Sequence, residues 1–153
     1  MAQRILLVLH IGAGVTGLLL AGPVVLVPKR RGGHTVLGRI YAGALAVLCL
    51  TAAPLALVDL RRMVGLLGIA IGTALAGAVG VAAARYRPAL PGGWLLWHLN
   101  AMGTSVISLV TAFAVQASDG HPVSWVLPTL VGSPLIAARS AALRRPRRAL
   151  ARA

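Results

Sequence analysis

The chain has 153 residues, 58% of them hydrophobic and 11% charged, against roughly a quarter charged in ordinary soluble domains. A soluble single domain of this size could not bury so much apolar surface, so lipid must solvate most of it. Fifteen basic residues, fourteen of them Arg, face two acidic ones, Asp59 and Asp119, for a net charge of +13; they punctuate long apolar runs and line no single face, which argues for positive-inside topology and anionic lipid and against nucleic acid.

Five apolar stretches approach the roughly 20 residues that cross a hydrocarbon core as a helix. They lie at 5–27, 35–58, 63–84, 94–116 and 122–138. Helix is the expected state throughout, because lipid cannot satisfy free backbone N–H and C=O groups and no stretch alternates like a barrel strand. The first is too long for a signal-peptide core and has its charges, Lys29, Arg30 and Arg31, after it, so it reads as a retained span. In the second, Cys49 is an apolar packing residue, and a lone cysteine forms no intrachain disulfide. The third carries Gly68, Gly72, Ala76 and Gly80 at four-residue intervals, a small-residue stripe against which a helix of this chain or of a second copy can pack. The fourth is the most polar, with His98, Asn100, Thr104, Ser105, Ser108 and Thr111. The fifth is short and holds Pro128 and Pro134, which predict a kink. After it, 139–153 read as a basic tail, broken at Pro146 and suited to anionic headgroups.

Charge counting orients the bundle. One set of loops holds Lys29, Arg30, Arg31, Arg85 and Arg87, with Arg139, Arg144, Arg145, Arg147, Arg148 and Arg152 in the tail; the other holds Arg4, Arg61 and Arg62. Eleven against three puts the C-terminus in the cytoplasm and, with five spans, the N-terminus outside. Tyr86, Trp94, Trp97 and Trp125 fall near span ends, where interfacial aromatics belong. The expected setting is a bacterial inner membrane, crossed several times. The bacterial part rests on Arg, Ala, Gly, Val and Leu usage, which suggests a GC-rich genome.

Ionisable groups inside lipid ask for an explanation. His34 immediately precedes the second span, and His98 lies roughly 6 Å into the fourth from the same face. His10 lies roughly 8 Å in from the opposite face, where His121 opens the fifth span. Two histidines at one depth on different helices are the arrangement that ligates haem iron from both sides. On this reading His34 and His98 are the metal ligands, with His10 a further cofactor-binding residue. Arg39 pairs with propionates, and Met102, one turn beyond His98, is either a soft ligand or a packing residue. His98, Met102 and Ser105 share a face, so a hydrogen-bonded seam through the bundle is expected. The bland alternative is that histidines anchor at the interface and hydroxyls glue helices together. No carboxylate lies within an apolar run, and no nucleophile–base pair, phosphate-cradling loop or zinc motif appears. This argues against proton pumps of the Asp/Glu-relay kind, hydrolases and transferases.

Several of these residues recur in a pattern: His10-Ile11-x-x-Gly14, Gly22-Pro23, Arg31-Gly32-Gly33-His34-x-x-x-Gly38-Arg39-x-Tyr41, His98-x-x-x-Met102-x-x-Ser105, Thr111-Ala112-Phe113 and Trp125-x-x-Pro128-Thr129-x-x-Gly132-x-Pro134. In order and spacing it resembles a family of bacterial membrane proteins of unknown function, and the layout is similar to small di-haem membrane cytochromes. It departs from the family at Thr35, where a basic residue is usual, at Val106, where Tyr is common, and at Gln116 and Ala117, where Asn is expected. The resemblance implies a membrane bundle and singles out His10, His34 and His98, without implying an activity.

The expectation is an all-α polytopic bundle of five transmembrane helices that binds haem b through histidine axial ligands and passes electrons to a quinone or redox partner. The alternatives are a cofactor-free structural or accessory subunit and a small-solute transporter. Homo-oligomerisation would run through Gly68 and Gly72.

Overall fold

The computed structural model describes residues 1–27 and 32–150, the last six of these by backbone alone. Five α-helices follow one another: α1 (Ala2–Leu26), α2 (Gly33–Ala56), α3 (Leu60–Tyr86), α4 (Trp94–Ala117) and α5 (Pro122–Leu150). No strand occurs among the described residues. Four continuous helical stretches are long and apolar enough to cross a membrane: Ala2–Leu26, Gly33–Tyr86, Trp94–Ala117 and Pro122–Arg144. Gly33–Tyr86 contains both α2 and α3, joined by a 3₁₀ turn at Leu57–Asp59. The direction changes at Asp59, whose φ of −142° and ψ of 73° leave the helical region. Its carboxylate then caps α3, accepting from Arg62 N–H at 3.3 Å.

The other breaks follow from residue chemistry. Val27 is extended, as a residue before proline must be. Gly92 and Gly93, with φ of 79° and 89°, turn the chain into α4. Asp119 and Gly120 are both left-handed between α4 and α5, and Arg62 of α3 reaches across to pair with Asp119 at 2.9 Å.

α1 packs on α2, α2 on α3, α3 on α4, and α4 returns to α1, closing a ring of four helices; α5 packs along α4 and touches α3 through Trp125, whose ring covers Gly65. Inside the ring, Ala21, Val24, Tyr41, Leu45 and Leu109 form the buried core. Outside it, large hydrophobic side chains stand exposed on every helix, among them Val8, Leu19, Leu50, Leu75, Phe113 and Leu130. A soluble protein would hide that surface, and a lipid-facing one displays it.

Two expectations meet a different outcome. The helix of the fifth stretch does not stop at residue 138 but runs through Pro134 and Pro146 to Leu150, so most of the tail is a continuation of α5. The glycine stripe of α3 is split: Gly80 is buried against Met102 of α4, whereas Gly68 and Gly72 are exposed, with open space where a Cβ would stand. Four residues per repeat against 3.6 per turn rotates such a stripe steadily around the helix, so one end faces inward and the other outward. Lys29, Arg30, Arg31 and Arg152, and the side chains of Arg145, Arg147 and Arg148, lie outside the described residues.

Candidate functional site: a histidine pair at one end of the bundle

His34 is the second residue of α2 and His98 the fifth of α4. Their rings meet with centroids 6.3 Å apart and planes at 85°. Each is fixed by a backbone carbonyl. His34 Nδ1–H donates to Val24 O at 3.1 Å. That carbonyl belongs to the last turn of α1, where helix geometry leaves C=O groups without an intrahelical partner. His98 Nδ1–H donates to Gly80 O at 2.8 Å. Gly80 makes this approach feasible, because a Cβ there would stand 2.5 Å from Met102 Sδ and 3.3 Å from Met102 N. With Nδ1 donating in both rings, the lone pair lies on Nε2, the tautomer found when a metal-binding imidazole is held by an outer hydrogen bond.

The remaining sequence-derived candidates are distributed around this pair. Met102 is a packing residue, seated over Gly80 and against the core. Its carbonyl accepts from Ser105 Oγ–H at 2.8 Å, and Ser105 Oγ lies 3.1 Å from Tyr41 Oη. Since the serine proton is directed to Met102 O, Tyr41 donates to Ser105, and the two are 1% and 0% exposed. The expected seam through the bundle is therefore present, and it crosses from α4 to α2. Arg39 is exposed on α2 and makes no hydrogen bond or ion pair among the described residues.

His10 belongs to the other end. Thr51 Oγ–H is directed to Val47 O at 2.8 Å and Leu48 O at 3.0 Å, so His10 Nδ1–H is the donor in the 3.0 Å bond between them. His121 Nδ1 accepts from Val123 N–H at 3.3 Å, a local bond at the start of α5. No contact joins His10 to His121 among the described residues.

Sequence reasoning missed the partners of the histidines, which are backbone carbonyls and one threonine. Main-chain acceptors leave no trace in side-chain identity. The signal that existed was Gly80 itself, a glycine where an approaching helix needs room. Among the described residues no group of three or more His, Cys, Asp or Glu side chains is placed to hold a metal ion. Two metal–nitrogen bonds of about 2 Å, plus the nitrogen-to-centroid distance on each side, would come to roughly 6 Å between ring centroids if both Nε2 atoms faced one iron.

The chain matches no known family model, and comparison with curated proteins and with solved structures yields no match.

Proposed function

We propose that the chain crosses the membrane five times, with α2 and α3 as separate spans, the N-terminus outside and the arginine-rich end of α5 in the cytoplasm of a bacterial cell. The charge count across the loops supports that orientation. Within this frame His34 and His98 are axial ligands of one haem b, and the protein is an electron-transfer component. The observation that carries the reading is the histidine pair: two imidazoles from different helices, 6.3 Å apart, each oriented through Nδ1 by a main-chain carbonyl. Bound haem would supply one-electron chemistry at iron. The chain's own contribution is to hold both rings in one tautomer, to exclude water with the surrounding aliphatic residues, and to offer Arg39 as a cation for propionates near that face. A quinone or a redox protein is the exchange partner.

The exposed Gly68 and Gly72 face is where a second copy would pack, and the arginine-rich end of α5 lies against anionic headgroups. His10, bonded to Thr51 on the opposite side, ties α1 to α2 in this reading.

The test is a dithionite-reduced minus air-oxidised absorbance spectrum of protein expressed with ample haem and purified in mild detergent. A sharp α-band with a shifted Soret peak is expected, lost in H34A and H98A and kept in H10A. A featureless spectrum from well-folded protein would remove the haem reading and leave the pair as a purely structural clasp.

A further inference from the structure

A groove of about 790 Å³ lies on one flank of the seam between α4 and α5. Asn100, Thr104 and Ser108 line it from α4, four residues apart; Thr129, Ser133 and Ser140 line it from α5. Arg144 stands at one end, and Ile107 and Ile136 form part of its floor. From Thr129 to Arg144 is fifteen residues of α5, roughly 22 Å at helical rise. That is close to half of the roughly 40–45 Å bilayer, the depth of one leaflet.

Hydroxyls on membrane helices normally turn back onto their own helix, as Thr16 and the buried Thr51, Thr73 and Thr111 do here. Thr104, Ser108, Thr129 and Ser133 make no such bond among the described residues, nor any other hydrogen bond. At the Arg144 end, Ser140 is buried and donates to Asn100 Oδ1 at 3.3 Å, so the groove closes there on a polar pair. Hydrogen-bonding groups left open toward hydrocarbon cost free energy, so an occupant with acceptor atoms is favoured. Neither a carboxylate nor an aromatic ring lines the groove. It therefore offers no negative charge to a cation and no stacking surface to a flat ring.

We propose that this groove binds an anionic glycerolipid of the leaflet on the arginine-rich side, a leaflet assignment that rests on the orientation proposed above. The phosphate pairs with the Arg144 guanidinium, ester oxygens accept from Thr104 and Ser133, and the acyl chains follow Ile107 and Ile136. Ser108 and Thr129 lie deeper, beside the chains, where on lipid binding they rotate onto their own helix carbonyls. The long open side of the groove admits such a ligand directly from the bilayer, with no aqueous step.

The experiment is native mass spectrometry of the full chain, delipidated in detergent and titrated with phosphatidylglycerol, phosphatidylcholine or inorganic phosphate. Preferential retention of one phosphatidylglycerol is expected, about tenfold tighter than phosphatidylcholine, with R144Q losing most of the preference. The arginines of α5 attract anionic lipid wherever it sits, so A137W provides the charge-neutral control. Ala137 lines the groove and is exposed, and an indole there fills it without altering charge or core. Loss of retention in A137W, with unchanged helicity and elution volume, supports the groove. Unchanged retention in A137W overturns it in favour of nonspecific attraction to α5. Equal retention of both lipids in the wild type overturns the anion requirement. Equal competition by inorganic phosphate shows a small-anion site and overturns the lipid assignment.

Discussion

Gly80 is the position where packing of α3 on α4 and placement of His98 depend on the same missing side chain. In G80A the new methyl would sit 2.5 Å from Met102 Sδ, 2.8 Å from Met102 Cγ and 3.3 Å from Met102 N. The thioether end can rotate away, but the backbone nitrogen cannot, so α3 and α4 must separate by a few tenths of an ångström. Overpacking of this kind costs about 1–3 kcal/mol, and the better helix propensity of alanine returns about 0.5–1 kcal/mol. The expected net loss is about 1 kcal/mol, together with a longer His98 Nδ1 to Gly80 O bond. G72A is the matched control, since a Cβ there meets nothing within 4 Å; it should be neutral or slightly stabilising as a monomer. Stability is read by titrating detergent-solubilised protein with SDS and following Trp fluorescence, in parallel with the elution volume. Equal stability of G80A and wild type would show that α3 and α4 do not touch at Gly80 and would refute the packing just described. A shift of G72A alone to a smaller assembly would support Gly68 and Gly72 as the contact between copies.

Tyr41 and Ser105 should respond unequally to deletion. S105A leaves a buried phenol without its acceptor and should cost about 1–3 kcal/mol, whereas Y41F leaves Ser105 still bonded to Met102 O and should cost about 0.5–1.5 kcal/mol; a double-mutant cycle by SDS titration measures the difference, and equal losses would show that the serine does not depend on its backbone bond. The Arg62–Asp119 pair is 68% and 89% exposed, so D119N should change stability by less than about 0.5 kcal/mol. A larger loss that disappears in high salt would show that the turn between α4 and α5 is held by charge.

The helices were legible because lipid permits little else: long apolar runs bounded by Lys29–Arg31, by Asp59–Arg62, by Pro88–Gly93 and by Asp119–Gly120 leave few options for where chain can turn. The seam was legible for a similar reason, since His98, Met102 and Ser105 repeat at helical spacing and their face had to meet another helix. What escaped was anything set by rotation of one helix against its neighbour. The stripe from Gly68 to Gly80 looks uniform in sequence, yet only its end near Gly80 meets α4. Asn100, Thr104 and Ser108 form a second polar row on α4, roughly 130° around the helix from the first, and Thr129, Ser133, Ser140 and Arg144 form one on α5. That these rows flank one groove follows from α5 packing along α4, a tertiary fact with no local signature. At Pro146 the sequence predicts a break, yet α5 continues through it, since the Ala, Leu and Arg around that proline favour helix.

The two readings of the histidine pair can be separated because each calls on a different nitrogen. At His98, Nδ1 ties α4 to α3 through Gly80 O, whereas Nε2 is the atom a metal would use. An asparagine side chain places its amide nitrogen near the Nδ1 position and has nothing near Nε2; a leucine has neither. H98N should therefore keep stability within about 1 kcal/mol of wild type, the scale of one hydrogen bond, and H98L should lose at least that much. If the pair serves only as a clasp, H98N differs from wild type in stability alone, by less than H98L does, and neither variant changes the absorbance spectrum. With haem ligation, H98N folds with normal elution volume and helicity yet has no α-band, so colour and stability part company in one variant. A coloured H98N would mean that His98 is not an iron ligand, whatever holds the haem. The same pair of substitutions at His34 asks the question from α2, where the clasp reaches the last turn of α1 at Val24 O, and a true bis-histidine site must give the same answer from both sides.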